Sequence, residues 1–166
     1  MADATVNTAK IKDRRTLRFE SVDEAIREAE TLVAAEQAGT LRKVGNWSLG
    51  EAISHVAYWA NAPFDGYPAE LKVPWLMKFL MGFLRGRILT KGMMPGVKIS
   101  GAPGGTYGAE KIPAGEAFER LRSAFTRIDQ TCPPDPNPLF GDLTHTQWKQ
   151  LNLRHAELHF GFYFAE

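Results

Sequence analysis

The sequence predicts an all-α protein, a four-helix bundle with a long crossover and an accessory helix between the second and third bundle helices. Three observations predict it. Four stretches carry apolar residues at helical spacing, a capping sequence stands directly before three of them, and a long segment interrupted by Gly and Pro separates the second stretch from the third. A chain of 166 residues suits one domain. The division expected is a flexible leader over residues 1–20 and a single helical domain over residues 21–166.

The leader is polar and mixed in charge, with Lys10, Lys12, Arg14, Arg15 and Arg18 among few apolar side chains, and is expected to become ordered near Leu17 and Phe19. Ser21 and Glu24 then form a capping box, in which each side chain satisfies a free backbone N–H at a helix start. Val22, Ala25, Ile26, Ala29, Leu32 and Val33 follow as one apolar stripe, and Gly39 is placed to stop the helix after Ala38. A second box, Ser48 with Glu51, opens a helix whose stripe is Leu49, Ala52, His55, Val56 and Trp59. Pro63 predicts its end near Ala62, because proline disfavours helical geometry in the residue before it.

From residue 71 to residue 109 the composition changes. Six cations (Lys72, Lys78, Arg85, Arg87, Lys91 and Lys98) occur with no Asp or Glu. The first half, VPWLMKFLMGFLRGRIL, predicts the accessory helix, and the second half, rich in Gly and Pro, a long loop. The third bundle helix begins after Pro113 with Phe118, Leu121, Phe125 and Ile128 inward. A Pro-rich connector over residues 131–138 ends it. Thr144 with Gln147 makes a third box, and the last helix, expected to run through residues 144–164, turns Trp148, Leu151, His155, Leu158, His159 and Phe162 inward.

Composition excludes some functions. With 44% hydrophobic and 23% charged residues and a net charge of +1, the chain lacks the basic excess of a typical nucleic-acid binder. The single Cys132 cannot form an intrachain disulfide, the N-terminal stretch has no apolar run of a signal peptide, and no window resembles a membrane span. A cytoplasmic location is expected. The cations of residues 71–109 could draw an anionic substrate towards the site or rest the accessory helix on an anionic membrane surface, but a solvated basic face over an extra packing helix is the expected reading.

His155 and His159 stand four residues apart, so on a helix both rings project from one face with Cβ atoms about 5–6 Å apart. His55 lies on the inward stripe of the second helix. Buried imidazoles need partners for both nitrogens, and a divalent ion shared by the three would supply one for each. His145 falls off the stripe and is expected to be exposed. The H-E-x-x-H pattern of a zinc protease is absent, since Ala156 follows His155. Cys132 reads as a small loop residue, and Glu51 as a capping residue. Asn152 could line the pocket or be a satisfied core amide. Tyr58 and Trp59 read as core packing, with Trp59 a candidate pocket wall.

Residues 46–68, NWSLGEAISHVAYWANAPFDGYP, are similar to the W-S-L-G-x-x-x-x-H and D-G-[FY]-P signature of a domain-of-unknown-function branch of the DinB-like, YfiT-like superfamily of metal-binding four-helix bundles. RRTLRFESVDEAIREAETL resembles the opening of that branch, and NPLFGDLTHTQWKQLNLRHAELHF its closing segment with H-x-x-x-H. The superfamily's three-histidine site maps onto His55, His155 and His159. The chain departs at Asn137 and Leu158, where the branch usually has His, and both positions could shape the pocket.

The resemblance implies a divalent-metal-dependent enzyme, with zinc or nickel the expected ion. It favours a thiol S-transferase-like activity that uses a low-molecular-weight thiol on a small-molecule substrate. A metal-hydroxide hydrolase and a non-catalytic metal- or ligand-binding bundle, including a homodimer, are the alternatives.

Overall fold

The architecture comes from a computed structural model that describes residues 6–99 and 102–166. Residues 1–5 of the expected leader, and Ser100 and Gly101 of the expected loop, lie outside the described residues. Among the described residues there are five α-helices and one small two-stranded sheet, so the protein is mostly helical, with a short sheet that the sequence did not announce.

Helix α1 (Val22–Ala38) starts where Ser21 Oγ accepts the Glu24 N–H. The expected box is displaced by one residue, since the Glu24 carboxylate accepts from Glu20 N at 2.8 Å and not from Ser21. Gly39 closes the helix with φ 74°, the left-handed geometry glycine adopts without strain. The chain then makes strand β1 (Leu41–Lys43), which pairs antiparallel with β2 (Tyr163–Ala165) in the register Leu41↔Ala165, Arg42↔Phe164 and Lys43↔Tyr163.

Helix α2 (Leu49–Asp65) has the complete Ser48–Glu51 box. It runs past Ala62, where Pro63 was expected to end it. In the last turn proline's missing N–H forfeits a single helical bond. Gly66 N–H closes onto Ala62 O at 2.9 Å, and Asp65 is held by Arg127 at 2.7 Å. Helix α3 (Trp75–Lys91) is the accessory helix, and helix α4 (Ala114–Gln130) follows Pro113. Helix α5 (His145–Phe160) begins with the complete Thr144–Gln147 box. It does not continue to residue 164. Gly161 caps it, and Phe162 and Tyr163 are buried beyond its end as the chain turns into β2.

α1, α2, α4 and α5 share one core, in which Leu32, Ile53, Val56, Leu121, Phe125, Ile128 and Phe160 are almost wholly buried. α2 lies along α4, and at Gly50 it meets the segment leading into α4, where a Cβ would come within 2.0 Å of the Ile112 carbonyl oxygen. The position therefore admits no side chain. A second, smaller cluster of Leu89, Phe140, Leu143, Trp148 and Leu151 joins α3 to α5. Leu89 is the single fully buried residue of α3, so the expected packing helix is attached mainly by its C-terminal half.

Two buried charges on α5 fix the approach of the N-terminal segment. Arg154 and Glu157, 3% and 7% exposed, pair at 3.0 Å. Arg154 donates to Phe19 O at 2.6 Å, and Glu157 accepts from Phe19 N at 2.6 Å, so both backbone groups of one residue are bound by one ion pair. Further along the segment, Arg15 N–H donates to Gly161 O at 2.8 Å, and Val6 exchanges two hydrogen bonds with the Asn46 side chain.

Candidate metal centre

The caps that start α2 and α5 also set the phase of their inward faces. His55 lies one turn beyond Glu51 on α2, and His155 and His159 lie on successive turns of α5. Where the two helices pack, the three rings meet. Their centroids are 4.9 Å (His55 and His155), 4.6 Å (His55 and His159) and 4.7 Å (His155 and His159) apart. One nitrogen from each falls within 4.8 Å of the other two, and the Nε2 atoms of His55 and His155 are 3.1 Å apart. A tetrahedral ion with metal–nitrogen bonds of about 2.0–2.1 Å sets its ligand nitrogens about 3.3 Å apart, so small side-chain rotations would bring the set to ligand geometry. Among the described residues no fourth His, Cys, Asp or Glu joins the group. The three histidines could hold a metal ion.

The surroundings prepare the rings for that task. His55 is 4% exposed, and its Nδ1–H donates to the Tyr107 carbonyl at 2.8 Å, which leaves the lone pair on Nε2 facing the cluster. Desolvation pushes His55 down from 6.5 to about 4, against the opposing pull of the Tyr107 carbonyl. His155 and His159 are pushed well below 6.5, first by desolvation and then by neighbouring imidazoles. All three rings are therefore neutral near pH 7 and can offer lone pairs. His155 and His159 are half-buried, so the cluster keeps partial contact with solvent through α5.

Aromatic rings wall the cluster. Trp47 stacks on His159 with centroids 5.3 Å apart and planes 10° from parallel, and meets His55 edge-on at 5.0 Å. Trp59 lies 6.4 Å from both His55 and Tyr107. Tyr163 braces Trp47 from behind, its hydroxyl 3.0 Å from Trp47 O and 2.9 Å from Ser48 O. Sequence reasoning had not assigned Trp47 or Tyr107 to the site. Trp47 carried two signals, as an apolar residue directly before the Ser48 cap and as the first residue of the W-S-L-G stretch. Tyr107 carried a fainter one, as an aromatic in a glycine-rich loop.

Other candidate residues have different roles. His145 is half-buried, not exposed, and its Nε2 lies 2.6 Å from Ile128 O, one of the free carbonyls in the last turn of α4. Asn152 is a satisfied core amide that donates to Trp148 O at 3.0 Å. Tyr58 packs against Gly108, where a Cβ would come within 2.3 Å of it. Asn137 Oδ1 accepts the N–H groups of Leu139 and Phe140 and so holds the turn that leads into α5, and Leu158 is half-buried. Cys132 is exposed in the connector after α4. Two surface hollows, of about 450 and about 540 Å³, lie at residues 136–141 with Lys78 and between α2 and α4 beside Tyr58 and Arg120; neither is lined by the three histidines.

Fold and site together define a helical protein with a candidate three-histidine metal centre. A family model described as "Protein of unknown function (DUF1569)" matches residues 11–165, and the chain belongs to that family. No curated protein and no solved structure gives a significant match.

Proposed function

We propose that the protein is a divalent-metal-dependent enzyme, thiol S-transferase-like, whose ion is held by His55, His155 and His159 with an open coordination position. The observation that carries the reading is the convergence of three neutral imidazoles from two helices with no fourth protein ligand beside them among the described residues. The similarity of residues 46–68 and 137–160 to the DinB-like superfamily supports the same assignment and favours the thiol chemistry. Three imidazole donors suit zinc or nickel.

A divalent ion bound there supplies a Lewis-acid position that can lower the pKa of water towards about 7 or hold a thiolate. The chain's own residues do the rest. The Tyr107 carbonyl fixes the tautomer and tilt of His55, Trp47 fixes His159 by stacking, and Trp47, Trp59 and Tyr107 present apolar surface that would exclude water and receive the apolar part of a small-molecule substrate. Among the described residues no carboxylate or further histidine joins the cluster, so a thiolate or a hydroxide held on the ion would act without a separate protein base.

One observation favours a second reading, a non-catalytic metal-binding bundle. Neither of the two hollows is lined by a histidine of the cluster.

The test begins with elemental analysis of protein purified without a nickel column, wild type beside His155→Ala. Stoichiometric zinc or nickel in the wild type and its loss in the variant are expected. No divalent metal after reconstitution would remove the enzyme reading. Cobalt-substituted protein titrated with a low-molecular-weight thiol then separates the two readings. A new thiolate-to-cobalt charge-transfer band supports the transferase, and an unchanged spectrum supports the non-catalytic bundle.

A further inference from the structure

Between residues 71 and 109 the sequence combines cations, aromatics and an absence of acids, and the fold decides which of these the surroundings meet. Successive residues of a helix are 100° apart. On α3 that rotation places Trp75, Phe79 and Phe83 in one row and Leu76 and Leu80 in the row beside it. The opposite side carries half-buried Leu84 and the residues that attach α3 to the α5 cluster, Met81, Ile88 and Leu89.

The outward rows are uncovered. Trp75 is 77% exposed, Phe79 73% and Phe83 85%, with Leu76 and Leu80 at half exposure or more. A solvated basic face was expected here, and an apolar one is present. Contiguous large apolar side chains are rare on soluble surfaces and mark contact sites.

Charge selects the occupant. Lys78 lies on one flank of the apolar rows and Lys91 on the other, Arg87 continues the leucine row towards the C-terminal end, all three are exposed, and Lys72 precedes the helix. Arg85 is turned aside to the carbonyls of Phe140 and Asp142. A second copy packed about a two-fold axis would set two acid-free basic segments against each other, and like charges would oppose the pairing. An anionic lipid surface meets both features, with apolar side chains entering the boundary between headgroups and acyl chains while the flanking cations lie at the phosphates. Among the described residues no helix is long and apolar enough to cross a membrane, so the contact is with the surface.

We propose that α3 docks the protein on anionic membrane surfaces, through Trp75, Leu76, Phe79, Leu80 and Phe83 rimmed by Lys72, Lys78, Arg87 and Lys91. The 17-residue helix, about 25 Å long, lies in the plane of the interface. The inference is independent of the metal centre, so His155→Ala should leave it unchanged.

Co-sedimentation of the full-length protein with vesicles tests it, using phosphatidylcholine alone and phosphatidylcholine mixed in equal parts with phosphatidylglycerol. Binding to the mixed vesicles, weakened by added salt, is expected. Phe79→Ser with Phe83→Ser should lower the partition coefficient about a hundredfold or more. Lys78→Gln, Arg87→Gln and Lys91→Gln together should lower it about a hundredfold. All five residues are exposed, and an unchanged circular dichroism spectrum would show that the fold survives. No binding to mixed vesicles at low salt, or equal binding to pure phosphatidylcholine, would overturn the proposal. So would a dimer that the two serine substitutions break without any effect of vesicles.

Discussion

Acidifying the metal-free protein should destabilise it in a pH window that belongs to the histidine cluster. An unfolded chain takes up a proton at each imidazole near 6.5, whereas folded His55 resists protonation down to about 4. Between those values the unfolded state binds more protons than the folded one. Stability is therefore intact above about 6.5 and falls with pH at up to about 1.4 kcal/mol per unit for each such residue. Between pH 6.5 and pH 5, His55 alone removes about 2 kcal/mol, and His155 and His159 act in the same direction. Carboxylates ordinarily titrate near ~4, below this window, and Glu36 and Glu157, which burial raises, act in the opposite direction and are common to both proteins compared below. Urea unfolding with a chelator present, at intervals from about pH 7 to about pH 5, measures the slope. Replacing all three histidines with Gln should flatten it. Equal slopes in the two proteins would refute the picture of three imidazoles held neutral by their surroundings.

Other substitutions test the frame around the site. Gly50→Ala should lower stability by about 1–3 kcal/mol despite alanine's higher helix propensity, because the new methyl meets the Ile112 carbonyl; thermal unfolding reads this directly. Arg154→Ala leaves the buried Glu157 carboxylate only the more distant Arg18, at 4.0 Å, and should cost up to about 3–5 kcal/mol, whereas Arg154→Met with Glu157→Leu should cost far less, a difference that urea unfolding resolves. Tyr163→Phe removes the hydroxyl that braces Trp47 and should cost about 1 kcal/mol. It should also broaden the His159 ring resonances in NMR spectra as the stacked indole loosens.

The parts of this protein legible in the sequence are those fixed by short-range chemistry. Ser48 with Glu51 and Thr144 with Gln147 start α2 and α5 where the structure starts them, and a known start fixes which residues share the inward face. His55, His155 and His159 could therefore be selected before any packing was known. What the sequence hid depends on partners distant along the chain. The strands β1 and β2 are three residues each, too short for alternation to show, and they pair across most of the chain. Pro63 carries a local signal to stop, which the burial of the end of α2 and its tie to Arg127 outweigh. Arg154 and Glu157 carry no local sign of their burial, which rests on their contacts with Phe19 far earlier in the chain. The exposed face of α3 was hidden for the opposite reason, since an apolar stripe announces burial and says nothing about whether a neighbour covers it.

α5 carries two sets of duties on interleaved residues. His155 and His159 face α2, while Arg154 and Glu157 hold Phe19. A rotation of the helix that retuned the rings would also pull the guanidinium and carboxylate away from the backbone they bind. Variation in this centre is therefore constrained on one side, whether it arises by drift or by design. Ring spacing, access and the hydrogen bond behind the ligand can change with least disturbance on α2 and in the loop bearing Tyr107, and α5 acts as the fixed jaw against which they are adjusted.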